Sequence, residues 1–226
     1  MIERNGMCGA MDIFAIYYEN KNEEKAVKMA AYMKNNFPFL GIAKPERVKI
    51  TKDFFKQRKK DKQIDWEFIF TCYEMPEREF HYLAISYLSL VRKLLVKDDI
   101  GKIEKLIVKN SWWDSVDSLD EITGYMCLQY PELKEAVIMK WVASDNIWLK
   151  RVAIDFQLQY KEKTDPEMLK KAILYNCDTN EFFVNKAIGW SLREYSKTNK
   201  EWVKQFLREA EEKLSPLSVR EASKYL

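Results

Sequence analysis

Two tryptophans and two carboxylates stand together in Ser111-Trp112-Trp113-Asp114-Ser115-Val116-Asp117, just after an apolar-patterned stretch over residues 103–108. On a helix, Trp113 and Asp117 are four residues apart and project from the same face, while Trp112 and Val116 form the neighbouring row and can turn into a core. A carboxylate beside an exposed indole costs desolvation energy unless something cationic comes to lie against both. The chemistry on offer is therefore stabilisation of positive charge. A Trp-x-x-x-Asp spacing taken alone more often means a core-edge aromatic beside a solvated aspartate. The rest of the chain has to decide.

Other residue types narrow the chemistry. Cys8, Cys72, Cys127 and Cys177 are far apart with no Cys-x-x-Cys, and His81 is the only histidine. That excludes the common zinc frameworks, and it excludes a Ser-His or Cys-His nucleophile pair unless His81 serves. No metal and no cofactor is expected. His81 lies in an apolar-patterned helical stretch and reads as a structural or surface residue. Isolated thiols fit a reducing, cytoplasmic compartment. No apolar run approaches the ~20 residues of a membrane span. The first residues lack the apolar region of a signal peptide, so 1–11 reads as a disordered extension with Met7 or Met11 as alternative starts. The formal net charge of +3 neither demands nor excludes nucleic acid. Between Lys44 and Lys62, however, nine basic residues face three acids, which suits either a phosphate-facing surface or a solvated helix.

The elements that must position these residues read as helices. Only 6 Gly and 6 Pro punctuate 226 residues, too few for many short strands, and no stretch shows sustained period-two alternation. A first short helix is read over residues 12–18. The patterning then predicts helices over residues 22–37, 46–59, 65–75, 77–95, 99–109, 112–129, 132–142, 146–161, 166–176, 181–197, 199–213 and 216–225. Pro-Glu pairs at Pro45, Pro76, Pro131 and Pro166 read as helix starts. Ala84-Ile85-Ser86-Tyr87, Ala153-Ile154-Asp155-Phe156 and Ala187-Ile188-Gly189-Trp190 share an Ala-Ile-x-aromatic pattern at spacings close to two units and one unit of about 34 residues. Small residues there let a neighbouring helix approach closely. A two-helix unit of that period is the signature of an α-solenoid. The reading is all-α, with about six HEAT-like helix pairs in a single domain over residues 12–226. The unit missing from the series falls near residues 111–125, where the Trp-Trp-Asp stretch sits.

At these residues the chain resembles the AlkD-type DNA glycosylases, bacterial DNA alkylation repair enzymes built from HEAT-like repeats. The resemblance is carried by Ala31-Tyr32-Met33-Lys34-Asn35, Phe39-Leu40-Gly41-Ile42, Pro45-Glu46-Arg47 and Pro76-Glu77-Arg78-Glu79-Phe80, then by the Ser111–Ser118 stretch. Ala143-Ser144-Asp145-Asn146-Ile147-Trp148-Leu149, Lys186-Ala187-Ile188-Gly189-Trp190 and Pro216-Leu217-Ser218 complete it in order. It implies a C-shaped solenoid whose concave basic face grips double-stranded DNA carrying an alkylated base, with hydrolysis of the N-glycosidic bond. It also implies a bacterial monomer with no membrane association. Residue by residue, it makes Asp117 the catalytic carboxylate, Trp113 and Trp190 the flanking indoles, Arg151 a cleft arginine toward DNA and Tyr32 a tyrosine near the DNA.

The chemistry agrees. N3- and N7-alkylated purines are positively charged and leave as neutral bases, and positive charge moves onto the sugar as the bond breaks. Indole faces and a carboxylate favour that charge. Arg151 could pair with a phosphate or steady the carboxylate. Trp141 and Trp148 are expected in the core. The competing expectation from another class is a non-catalytic helical-repeat adaptor that binds DNA or protein.

Overall fold

The computed structural model describes the backbone from Met7 and the side chains from Ile13 onward. Residues 1–6 of the expected extension lie outside the described residues. Fourteen α-helices follow, and no strand occurs among the described residues: α1 (Met7–Glu19), α2 (Glu23–Tyr32), α3 (Lys44–Ile50), α4 (Lys52–Arg58), α5 (Trp66–Glu74), α6 (Arg78–Val91), α7 (Ile100–Val108) and α8 (Trp113–Gln129). A π-helical turn at Lys134–Ile138 leads into α9 (Met139–Val142), and α10 (Ile147–Asp155), α11 (Pro166–Asn176), α12 (Phe182–Ser196), α13 (Lys200–Glu209) and α14 (Pro216–Ala222) complete the chain. No helix among the described residues is long and apolar enough to cross a membrane.

Local chemistry explains most starts. Asn22, Asp65, Asn146, Asp165, Asn199 and Ser215 each cap a helix by accepting from a backbone N–H of the first turn, a contact worth about 1 kcal/mol each. Pro45, Pro166 and Pro216 occupy the first helical turn, where a missing N–H costs nothing. Pro76 and Pro131 do not open helices. Glu77, in extended backbone, precedes α6, and the π-helical turn after Pro131 begins only at Lys134.

Several predicted helices are shorter than expected. The one read over 22–37 ends at Tyr32 because Lys34 and Asn35 take left-handed backbone, with φ of 59° and 57°. The one read over 46–59 is interrupted at Thr51, whose hydroxyl donates to the Arg47 carbonyl at 2.7 Å. Likewise α10 stops at Asp155 instead of running to 161.

The helices form two compact units, Met1–Leu95 and Val96–Leu226. In the first, α4 and α5 pack against α6. Buried Glu79 of α6 accepts the backbone N–H groups of Leu40 (2.9 Å), Gly41 (2.9 Å) and Ile42 (3.1 Å), so one carboxylate satisfies three successive donors of the link after α2. Gly41 is required there. Its φ is +86°, and a Cβ would meet the Asn22 carbonyl oxygen at 2.0 Å. His81 is structural: it is buried, with one ring nitrogen 3.0 Å from Arg78 and the other 3.0 Å from the Met75 carbonyl.

In the second unit α8, α10, α12 and α14 pack in succession, with α7, α11 and α13 against them. Stacking of this kind is what the repeated pattern implied. Ala84, Ala153 and Ala187 are all fully buried, as are Ile154 and Ile188. Tyr87 and Phe156, the first two aromatics of the series, are also buried. The third, Trp190, is only half-buried.

Candidate functional site

The four central residues come from three consecutive members of that stack. Trp113 and Asp117 lie one turn apart on α8, Arg151 on α10 and Trp190 on α12. Trp112, just before α8, turns into the core as expected: its ring lies 5.7 Å from Trp148 and 5.1 Å from Phe183, with Val116 fully buried beneath. Trp148 and Trp141 are core residues, 8% and 3% exposed. That packing fixes the first turn of α8 and with it the direction of Asp117. Trp113 is half-buried.

Asp117 is held by a two-pronged contact. Arg151 donates from Nε to Oδ1 at 2.8 Å and from Nη2 to Oδ2 at 3.0 Å. This fork geometry is the strongest form of the charge-assisted pair. Arg151 Nη1 donates to the Phe183 carbonyl at 2.8 Å. The arginine side chain is 2% exposed and that of Asp117 23%, so the carboxylate is the part of the pair that solvent reaches. Of the two roles expected for Arg151, contact with a DNA phosphate and steadying of the carboxylate, this geometry is that of the second, with the guanidinium buried against Asp117. Burial works against the Arg151 charge, but Asp155 and Asp117 outweigh it and raise its pKa. Burial also raises the pKa of Asp117, against the pull of the Arg151 hydrogen bonds.

Trp190 stands among cations. Arg151 lies 5.2 Å from its ring centroid, and Lys186 Nζ and Arg193 lie 5.7 Å away. These distances are within cation–π range. Each cation is also drawn to a carboxylate. Glu221 of α14 accepts from Lys186 at 2.7 Å, Arg193 at 2.8 Å and Lys224 at 2.7 Å. Hydrogen bonds from Lys186 and Lys224 hold Glu221 well below the usual carboxylate range, at about 2. Glu221 reaches this position because residue 189 is glycine. A Cβ there would lie 2.5 Å from Glu221 Cβ and 3.1 Å from the Ser218 carbonyl oxygen.

Behind the pair lie two further carboxylates. Asp120 stands three residues after Asp117 and Asp155 four after Arg151, and they are 5% and 1% exposed. Asp155 Oδ2 is 3.7 Å from Arg151 Nη2. Burial drives the pKa of both upward. The sequence reading missed these two residues, although their helical spacing from Asp117 and Arg151 was a usable signal. It also missed Glu221, whose pairing with Lys224 is local but whose partners at the site, Lys186 and Arg193, lie 35 and 28 residues earlier. Tyr32, on α2 in the first unit, is 70% exposed. No group of three or more His, Cys, Asp or Glu among the described residues could hold a metal ion.

Among the described residues the protein is all-helical, with a carboxylate clamped by an arginine that lies against an indole. The family model described as DNA alkylation repair enzyme matches residues 17–226, and the chain belongs to that family. It is also similar to the solved structure of a predicted DNA alkylation repair enzyme from Enterococcus faecalis, with 39% identity, a TM-score of 0.85, and coverage of 91% of this chain and 96% of that one. Among curated proteins nothing matches.

Proposed function

We propose that this repair enzyme is a DNA glycosylase that removes positively charged N3- and N7-alkylated purines from duplex DNA by hydrolysing the N-glycosidic bond. The observation that carries the reading is the Asp117 carboxylate, fixed by Arg151 through both oxygens yet partly open to solvent beside Trp190. As the C1′–N bond breaks, its electron pair stays with the base and neutralises it, and C1′ becomes an oxocarbenium-like cation. A preorganised carboxylate near C1′ stabilises that cation and orients the water whose oxygen bonds to C1′; the water's proton passes to Asp117 or to solvent. The indoles of Trp113 and Trp190 favour positive charge at roughly 0.5–2 kcal/mol each. Lys186, Arg193 and Lys224 outnumber their one carboxylate, Glu221, and this local excess suits a phosphate of the damaged strand.

The reading limits the lesions. Asp120 and Asp155 are too deeply buried to reach a leaving base, and Asp117 is engaged through both oxygens. With no acid presented to the base, neutral lesions that depart as anions are poor substrates. Duplexes carrying a single 7-methylguanine, 3-methyladenine or uracil, incubated with the protein and then cleaved at abasic sites, test this directly. The expected result is strand breaks at the two methylpurines and none above background at uracil. Uracil release at a comparable rate, or no release of any base, overturns the reading.

A further inference from the structure

Ser191 of α12 lies between α10 and the buried carboxylates with one hydroxyl proton and two oxygen neighbours. Its Oγ is 2.9 Å from the Ile154 carbonyl oxygen and 2.8 Å from Asp155 Oδ1. Ile154 is in the last turn of α10, where carbonyls have no N–H partner within the helix, so this one needs an outside donor. If Ser191 gives its proton there, the 2.8 Å contact between two oxygens still needs a proton, and only Asp155 can supply one. The other oxygen of Asp155 agrees. Oδ2 is buried with no hydrogen-bond partner, at 3.7 Å from Arg151 Nη2, a poor setting for an ionised oxygen and a tolerable one for the carbonyl of a neutral acid.

We propose that Asp155 is a positioning residue that works as a neutral acid: its Oδ1 proton is donated to Ser191 Oγ, and its lack of charge leaves the Arg151 guanidinium to Asp117 alone. The proposal rests on the catalytic role given to Asp117 above. The groups that face Asp155 are Asp117 and Asp120 from α8, Arg151 from its own helix and Ser191 from α12. Glu194, with Lys161, borders the small cavity that Ser191 lines. Burial pushes the Asp155 carboxyl up, to about 6, with Asp117 adding to the rise and Arg151 and the Ser191 hydrogen bond opposing it. Once Asp155 ionises, it competes for Arg151 and slackens the fork on Asp117.

Asparagine is the test, because its amide keeps the shape of a neutral acid and can donate to Ser191 in place of the proton. Asp155→Asn is expected to excise 7-methylguanine within about threefold of the parent at pH 5.5, whereas Asp155→Ala loses tenfold or more in kcat with little change in KM. The parent's kcat is expected to fall as pH rises through about 6, and that limb should vanish in Asp155→Asn. A second reading needs no DNA. A carboxyl whose folded pKa lies above its unfolded value binds more protons when folded, so its contribution to stability falls as pH rises between the two. From pH 4 to pH 7 the parent should lose roughly 10- to 100-fold in its folding equilibrium relative to Asp155→Asn. A relative gain, or an Asn variant as slow as Asp117→Asn, overturns the proposal and makes Asp155 an ionised partner of Arg151. Should the Asn variant not fold, the aspartate carboxyl ¹³C resonances of the parent decide. An aspartate beside Ser191 still protonated at pH 5 supports the proposal, and full ionisation there overturns it. Because the stability and resonance arms involve no excision, loss of the glycosylase reading would not be mistaken for loss of this one.

Discussion

At Asp117, shape and charge can be separated. Asp117→Asn keeps the outline of the side chain but removes the charge that faces the developing cation, and it sets an amide against a guanidinium that now donates to a carboxylate. Losing one preorganised electrostatic contact of this kind costs on the order of 10²–10³ in rate. Single-turnover release of 7-methylguanine should slow by that factor while affinity for damaged duplex changes by only a few-fold. Release at the parent rate would assign the catalytic role elsewhere. Trp113 and Asp117 stood out in the sequence by type and helical spacing, whereas Arg151 and Trp190 were singled out only by the family resemblance. The depth of Arg151 was not legible there. A helix-face arginine looks the same in sequence whether it meets solvent or a carboxylate from the next helix, and here α10 is covered on both sides by α8 and α12. Ser191 escaped notice for the same reason, since its partners Ile154 and Asp155 lie on another helix.

At the scale of the element, helix existence was legible and helix ends were less so. Periodicity and caps fix where α11 and α14 begin, but the early end of α2 depends on Lys34 and Asn35 adopting left-handed backbone, which neither residue type demands. What holds the chain after that end is Glu79, through three backbone N–H groups 37–39 residues away in sequence. Glu79→Ala leaves three buried donors without a partner, each costing about 1–3 kcal/mol when unsatisfied. Part of that cost is recovered if water enters, so a net loss of about 3 kcal/mol or more is expected in chemical denaturation. A variant within 1 kcal/mol of the parent would show that the link after α2 is held by something other than this carboxylate.

For the whole molecule, charge distribution matters more than its total. Of the nine basic residues between Lys44 and Lys62, the two arginines are used within the fold. Arg47 lies 4.5 Å from the Tyr82 ring and donates to the Ile42 carbonyl, while Arg58 bridges Asp61 and Asp65. The seven lysines are exposed. Binding to duplex DNA is therefore expected to weaken steeply with salt, with a log–log slope of about 0.9 per phosphate neutralised. Glutamine at Lys52, Lys56, Lys59 and Lys60 should flatten that slope; an unchanged slope would mean these lysines are solvated in the complex. The other feature with reach beyond its own position is Gly189. In mutational terms it has no neutral neighbours, because every replacement adds at least the one carbon that meets Glu221 Cβ at 2.5 Å. The damage would not appear in α12, where alanine is a better helix former than glycine. It would appear across the contact, in a last helix pushed outward that carries Glu221 away from Lys186 and Arg193. A change that looks silent in the helix that carries it is read out in the ion pairs of the next.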